Sequence, residues 1–430
     1  MLFHLGLDDT DNGTKGGCTT HLGYLLVRDF GLKGIKVVDF PRLLRLNPNI
    51  PWKTRGNGAV GISVLSEDTE GVLDLVDARV RETAEKFNSK PAYVLLDEGQ
   101  RHTVYVGVRN AVTSFIELET ARFLAEKAGC LVSPNPGPGL VGALYAASNL
   151  LTDCDHTYEL IAYRKSDNIG KARFVSRESV QRMDRIWFRS TFSNLDGNRV
   201  LITPHGPDPV LYGIRGENPA DLVLAMNTLK TEEAAGWMVY LTNQATDAHY
   251  RRTYLDKLRL WDSVELSLTV ASGSRRFAGG GVILPLTDGR FRIYAIFYPE
   301  TGFMREVAIE LAAGDKVKVM GGFADPFQPA INVEKMVVNL LVPRYRKRNP
   351  KCDSCGRTLE SEGGGRFRCL KCGLKGIVKN HLLVIKNARV TPGLYIPPIR
   401  YFRHLMKPPR RLGREKSSRT FLNAKYTLFR

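Results

Sequence analysis

The sequence predicts a multidomain α+β protein, and three observations carry that reading. Its 430 residues correspond to about three domains, or four if some are small. Near residue 258 the texture changes from mixed helical and strand-like segments to short β-runs split by Gly, Asp and Pro. Four cysteines near the end, Cys352, Cys355, Cys369 and Cys372, form two Cys-x-x-Cys pairs. With 43% hydrophobic and 25% charged residues, the chain is not disordered, fibrous or a coiled coil. No apolar run approaches the ~20 residues that span a bilayer, so no membrane partner is expected. The start, MLFHLGLDDTDNGT, lacks the basic stretch of a secretory signal, and the expected compartment is the cytoplasm.

Residues 1–7 read as a short buried strand that stops at the acidic turn Asp8-Asp9-Thr10-Asp11. From His21 to Phe30, Leu22, Leu25, Leu26 and Phe30 share a helical face, with Thr19 or Thr20 as N-cap and Gly31 as stop. Residues 35–40 give a second strand, followed by a Pro/Asn/Gly loop over 47–61. Over 62–150, strand-like runs (GISVL, AYVLL, TVYVGV) alternate with helical stretches around 71–88 and 114–128. The loop 134–139 then leads into an apolar helix at 140–151. Residues 200–250 read strand (210–217), helix (219–229) and strand (from 237), a small α+β unit. Residues 264–342 hold five short strands with one helix, 302–312, between the third and fourth. That is the proportion of an OB-fold barrel, a fold that commonly binds single-stranded nucleic acid. Val342-Pro343 and the basic run after it mark a linker.

Charge separates the chain more sharply. Residues 343–430 hold 23 Lys+Arg against 4 Asp+Glu, whereas the first 342 hold 39 against 40. The whole excess of +18 therefore sits in the tail, the footprint of a polyanion partner such as nucleic acid. The four paired cysteines lie in this tail, with 13 residues between the pairs. Two knuckles at that spacing make a zinc ribbon, a closed structural site in which four thiolates hold Zn²⁺. Arg344, Arg346, Lys347 and Arg348 precede it. Arg400, Tyr401, Arg403, Lys407, Arg410 and Arg411 follow it, interleaving bases and an aromatic ring that suit phosphates and unpaired bases.

The N-terminal half carries the chemistry. Asp8, Asp9 and Asp11 repel one another unless a cation neutralises them, and Mg²⁺ bridging to phosphates is the usual reason to keep them together. An exposed acidic turn and a phosphatase-type Asp-x-Asp nucleophile are the alternatives. Lys53 and Arg55 offer positive charge beside Gly56, Asn57 and Gly58, whose backbone N–H groups can line a phosphate. The segment Gly139 to Gly142 precedes a helix, whose N-terminus favours an anion. Neither loop matches the standard P-loop. Cys18, Thr19 and Thr20 place a thiol and hydroxyls beside the acidic turn.

In this order the blocks Gly-Leu-Asp8-Asp9-Thr10-Asp11, Cys18-Thr19-Thr20 and Lys53-Thr-Arg-Gly-Asn-Gly-Ala59 resemble the archaeal tRNA(isoleucine) 2-agmatinylcytidine synthetases. So do Gly139-Leu-Val-Gly-Ala-Leu144, Glu159 to Arg164, Val210 to Glu217, Thr242 to Asp247, the ribbon cysteines and the Pro-Pro…Arg-His-Leu tail. The likeness spans essentially the whole chain. It departs in the loop before Cys18, which is one residue longer and has Gly17 where methionine is usual.

The resemblance implies a kinase-like ATP-binding catalytic domain over 1–190 and a ferredoxin-like domain over 191–257, possibly sharing part of 62–130. It further implies an OB fold over 258–342, a zinc ribbon over 343–390 and a basic tRNA-binding tail over 391–430. It implies an ATP-dependent ligase that joins agmatine to the wobble cytidine of an isoleucine tRNA with a CAU anticodon, through a phosphorylated cytidine. It assigns Asp8, Asp9, Asp11, Cys18, Thr19, Lys53 and Arg55 to catalysis, Thr19 as a phosphate acceptor. Thr20, Gly56, Asn57, Gly58, Gly139, Gly142 and Arg215 go to the ATP site. The chief alternative is a non-catalytic OB-fold and zinc-ribbon protein on single-stranded nucleic acid. A metal-dependent nuclease or phosphatase is a further one. Neither explains both halves.

Overall fold

The computed structural model describes residues 1–54, 56–324, 328–385 and 390–419, with backbone alone at 346 and 383–385. One ten-stranded sheet organises the first 250 residues. From edge to edge run Leu131–Val132, Ala92–Asp97, Leu2–Asp8, Gly58–Leu65, Arg42–Arg45, Ala234–Thr242, Thr157–Arg164, Val210–Gly216 and Thr191–Phe192. The short strand Lys36–Val37 pairs with Gly58–Leu65 off this path. The two halves meet at a parallel seam, where Leu241 and Thr242 oppose Arg42 and Leu43.

Alternation along these strands sends apolar side chains to both faces, and helices cover each. Helices Thr19–Leu32 and Thr69–Phe87 cover one face, packing Leu22, Leu26, Phe30, Val72 and Val76 against Leu5, Ile62 and Tyr240. On the other, Gly139–Ser148 is buried at nearly every position, against Val94, Leu160 and Leu241. This helix tolerates burial on all sides because it carries no charged residue.

Several expectations are corrected. The run TVYVGV is not a strand but lies in helix Glu98–Val108. Its capping box, in which Asp97 accepts from the Gln100 N–H while the Gln100 side chain accepts from the Asp97 N–H, starts a helix that the β-branched run then continues. Val104 and Val108 share its buried face four residues apart. The strand expected over 35–40 pairs only at Lys36–Val37. The first helix begins at Thr19, so both threonines are helical and Cys18 is the N-cap, without a side-chain cap. The boundary expected at 190/191 cuts the sheet, since Thr157–Arg164 and Val210–Gly216 are hydrogen-bonded neighbours over six residue pairs.

Residues 263–340 form a closed five-stranded barrel. Ser263–Val270 pairs with Lys316–Phe323, which pairs with Ala330–Leu340, then Arg292–Phe297, then Val282–Thr287. Thr269 and Val270 close the ring against Thr287 and Leu286. Helix Met304–Glu310 lies between the third and fourth strands, and inward residues such as Leu266, Leu284, Phe297 and Val319 fill the interior.

Beyond the barrel, the four cysteine sulfurs lie within 4.8 Å of one another. Each knuckle repeats one turn, with the Gly356 and Gly373 N–H groups donating to the Cys352 and Cys369 carbonyls. The tail then returns to the body. Strand Gly393–Tyr395 pairs with Ala330–Leu340, and Ala245 and Asp247 donate backbone hydrogen bonds to His404 and Leu405. Among the described residues, no helix is long and apolar enough to cross a membrane.

The tail's basic residues therefore do not form one free cationic face. Arg411 is fully buried against Asp155 and Glu217. Arg410 pairs with Asp184, Lys407 with Asp155 and Glu415, Arg403 with Glu334, Arg400 with Asp196 and Arg344 with Asp315. Arg411 does not face a partner, and this overturns its reading as a tRNA contact. Counting charge along the chain treats every cation as solvated, but here the carboxylates that match the tail lie hundreds of residues earlier. Lys347, Arg348 and Tyr401 are exposed.

Candidate functional site

A cavity of about 730 Å³ opens where the acidic turn, the first helix, the 50–58 loop and the second half of the sheet converge. Asp8, Asp9, Asp11, Cys18, Thr19, Thr20, Lys53, Gly56, Asn57, Gly58, Gly139, Gly142 and Arg215 all line it. Arg55 and the side chain of Arg346 lie outside the described residues.

The acidic turn is built by its neighbours. Asp8 ends the first strand, and its Oδ1 accepts from the Asp9 N–H at 2.7 Å. Asp9 has φ +57°, a left-handed conformation that Asp tolerates better than most residues. Burial first, then the charges of Asp9 and Asp11, push Asp8 up to about 7, against the Asp9 hydrogen bond that pulls it down. Burial and Asp11 also raise Asp9. Thr54 donates to Asp11 at 2.8 Å, tying the 50–58 loop to the turn.

The glycines expected to cradle phosphate have a packing reason as well. A Cβ on Gly142 would lie 1.8 Å from an Asp8 carboxylate oxygen, so only glycine lets the helix Gly139–Ser148 seat on the turn. The departure at Gly17 has a similar cause. Its φ is +86°, and a Cβ there would meet the Thr10 carbonyl oxygen at 2.9 Å, so this loop geometry excludes methionine.

Cys18 and Thr20 contact each other at 3.0 Å, and Thr10 donates to Thr19 at 2.9 Å. Burial first, and then Asp208, push the Cys18 thiol up, which disfavours the thiolate. Thr20 is fixed through its carbonyl, which accepts from the hydroxyls of Tyr163 and Tyr240. Lys53 donates to the Ile50 carbonyl at 3.1 Å.

Among the other lining residues, Glu159 and His404 lie in blocks of family likeness but carry no role legible from the sequence. Glu159 is buried, accepting from Arg215 Nε at 3.2 Å and from the Gln244 side chain. Arg215 Nη2 donates to His404 Nδ1 at 3.1 Å. Burial, then the charges of Arg45 and Arg215, hold His404 well below the usual histidine range, so a neutral ring faces the cavity. His404 comes from the returning tail, more than 180 residues from Arg215, which no local pattern reveals. Asp208, Leu201, Ile202 and Val210 complete the wall, and Trp52 and Phe115 stand at the same cavity.

Chemically, the cavity combines an acidic cluster, a basic Gly-rich loop and buried carboxylates beside apolar walls. Among the described residues, the four cysteines are the group of three or more Cys, His, Asp or Glu whose donor atoms converge to metal-ligand range. The three aspartates share the cavity without converging that closely.

Comparison with known proteins adds the family context. A family model described as the TiaS TCKD domain matches residues 4–70, and one described as the TiaS FLD domain matches residues 137–249. The isoleucine-tRNA 2-agmatinylcytidine synthetase TiaS of Staphylothermus marinus is 38% identical over 97% of this chain and 95% of its own length. The crystal structure of apo TiaS, an isoleucine-tRNA agmatidine synthetase, superposes with a TM-score of 0.86, at 33% identity over 99% of both chains. That of TiaS in complex with its isoleucine tRNA, AMPCPP and agmatine gives 0.83, at 31% identity over 98% of this chain and 99% of the other.

Proposed function

Because this chain belongs to the isoleucine-tRNA 2-agmatinylcytidine synthetase family, we propose that the cavity at the acidic turn is where ATP, agmatine and the wobble cytidine of its tRNA meet. The protein is an ATP-dependent ligase that forms agmatidine on an isoleucine tRNA. The observation that carries the site assignment is the convergence of four separate chain segments on one cavity. A non-catalytic nucleic-acid binder has no use for that arrangement.

The chemistry explains the parts. The cytosine C2 carbonyl lies between two ring nitrogens, so its carbon is a poor electrophile and its oxygen a poor leaving group. Phosphoryl transfer from ATP to that oxygen addresses both. The agmatine amine then forms a bond to C2, the C2–O bond breaks, and phosphate departs with the oxygen. Asp8, Asp9 and Asp11 would hold Mg²⁺, which neutralises phosphate charge during transfer. Lys53 and the 56–58 loop stabilise the charge on the transferring group. Thr19 lines the cavity together with Asp9 and Asp11, and its hydroxyl is a second acceptor for a phosphoryl group from ATP, in a transfer separate from the one to the cytidine oxygen. Glu159, bonded to Arg215 and Gln244, and Asp208, paired with Arg173, are the buried carboxylates of the cavity with which an agmatine guanidinium would share an oxygen, with Leu201, Ile202 and Val210 beside its butyl chain.

The barrel is assigned as an OB fold because its helix lies between the third and fourth of five closed strands. The kinase-like and ferredoxin-like parts are assigned to the segments that the two family models match, residues 4–70 and 137–249, which share one sheet. The four cysteines are assigned to a zinc ribbon, since sulfurs about 2.3 Å from one ion sit ~3.8 Å apart, and Cys355 and Cys369 sulfurs are 3.5 Å apart. Chelation is then expected to open new protease sites between 343 and 390 while the sheet and barrel stay folded. An unchanged digestion pattern would remove the zinc assignment. Lys347, Arg348 and Tyr401 are the tail residues placed to meet tRNA.

The direct test incubates the full chain with ATP, magnesium, labelled agmatine and a CAU-anticodon isoleucine tRNA. Label in the wobble nucleotide is expected. Bound tRNA without label or ATP consumption would refute the catalytic assignment.

A further inference from the structure

Three aromatic side chains from distant segments meet at the rim of this cavity. Trp52, Phe115 and Trp261 pack mutually edge-to-face, with ring centroids 4.9–5.4 Å apart and planes 84–88° apart. Such a trio normally fills a core, but Trp52 is 50% exposed and Phe115 38%. On the far side lies a second, open cavity of about 880 Å³. The two cavities share Ser114, Phe115 and Ile116, so the aromatic trio is the ridge between them.

The backbone is strained to put it there. Trp261 has φ +68°, a left-handed conformation that a bulky residue rarely adopts. It is held by its N–H donating to Phe323 O at 3.1 Å and by Asn47 Nδ2 donating to its carbonyl at 2.9 Å. Asp262, fully buried, accepts from Arg251 and from the Arg259 N–H. The turn is thus fixed from the N-terminal half, the barrel and the linker at once. A strained, over-determined residue aiming an indole at an open rim is the mark of a binding function rather than of packing.

We propose that Trp52, Phe115 and Trp261 form a stacking platform for the unpaired anticodon base next to the wobble cytidine. This rests on the reading that the first cavity receives that cytidine. Once one nucleotide enters the cavity, its neighbour loses its stacking partner, and an exposed indole replaces it. Charge does not select the occupant here: Lys257 and Arg259 on the second cavity are matched by Glu117 and Asp256. Because the three planes are nearly perpendicular, one ring stacks on the base, and Trp52 is the most exposed of them, while Phe115 and Trp261 hold it edge-on. A neutral, apolar ring fits the arrangement, and the nearby carboxylates can accept from a base amino group. Trp52 is the contact residue and Trp261 a positioning residue on this account.

The test uses the full-length protein and a CAU anticodon stem–loop carrying 2-aminopurine in place of the adenine that follows the wobble cytidine. Wild-type protein is expected to change the 2-aminopurine emission saturably. In Trp52→Ala that change is lost and Kd rises by at least about fivefold, the low end for one stacked base. Trp52→Phe restores most of both. Trp261→Gly relieves the strained φ while removing the ring, so it folds and shows the same loss. If Trp52→Ala and Trp261→Gly bind with wild-type Kd and emission while wild type incorporates agmatine, the platform alone is refuted. If wild type incorporates no agmatine, the underlying reading falls and the platform with it.

Discussion

Replacing Asp9 by Asn is expected to lower agmatine incorporation at least about a hundredfold while leaving tRNA affinity intact. Asn is the informative substitution because Asp9 sits at φ +57°. Asn keeps the size and tolerates the left-handed backbone, so the change removes charge and little else. Asp9→Ala should lose as much activity but also strain the turn that holds Asp8, since the Asp9 N–H bonds Asp8 Oδ1. The tRNA contacts proposed for the tail lie outside this turn, so a binding assay with labelled tRNA should give the wild-type Kd for both variants. Full activity in Asp9→Asn would remove the metal role of the cluster. Wild-type kcat with a raised KM for ATP would assign Asp9 to ground-state binding alone.

What the sequence made legible here depended on chain locality. Asp8, Asp9 and Asp11 lie within four residues, Lys53 to Gly58 within six, and the ribbon cysteines within twenty-one, so spacing alone brought each group out. The five-strand barrel was legible too, because alternation and turn residues repeat within one stretch. Nothing local marked Arg45, and Glu159 and His404 stood only inside blocks of family likeness with no chemical role; the three reach the cavity from separate segments. The run TVYVGV misled because β-branched residues dominate it, whereas the Asp97–Gln100 capping box just before it decides the outcome. The tail's charge pointed to a nucleic-acid partner but not to which cations meet it. A sequence count treats every cation as solvated, and Arg411, Arg410 and Lys407 instead find carboxylates of the body. The single sheet across residue 190 was hidden because strand pairing is decided by neighbours in space.

Replacing Arg411 by Met is expected to destabilise the fold by about 3–5 kcal/mol, the range for removing one partner of a buried ion pair. Its guanidinium donates to Asp155 Oδ1 at 2.9 Å, Glu217 Oε1 at 2.6 Å and the Ala245 carbonyl at 2.6 Å, with no side-chain exposure. Met fills much of the volume and satisfies none of these acceptors, so Asp155 keeps only Lys407 and the Lys416 N–H as partners and Glu217 only Lys416. Arg400→Met, which removes the half-exposed pair with Asp196, should cost at most about 1 kcal/mol. Raising salt should blunt the second effect and not the first, because screening acts on exposed charges. The pH dependence has a definite sign. Burial raises the Asp155 pKa, but the hydrogen bonds and charge of Arg411 and the Lys416 N–H outweigh it and leave it lowered. This contribution is therefore present at neutral pH and is lost as the pH falls below the usual aspartate range. Thermal melts of Arg411→Met alone and with Asp155→Asn and Glu217→Gln measure the effect. The triple variant should recover part of the loss, since it leaves no carboxylate short of its guanidinium partner and only Lys416 without its carboxylate. Arg411 also anchors the strap that delivers His404 to the cavity seven residues earlier, so incorporation by Arg411→Met should fail below its melting temperature. A variant that melts like wild type but binds tRNA weakly would instead return Arg411 to the RNA-binding surface.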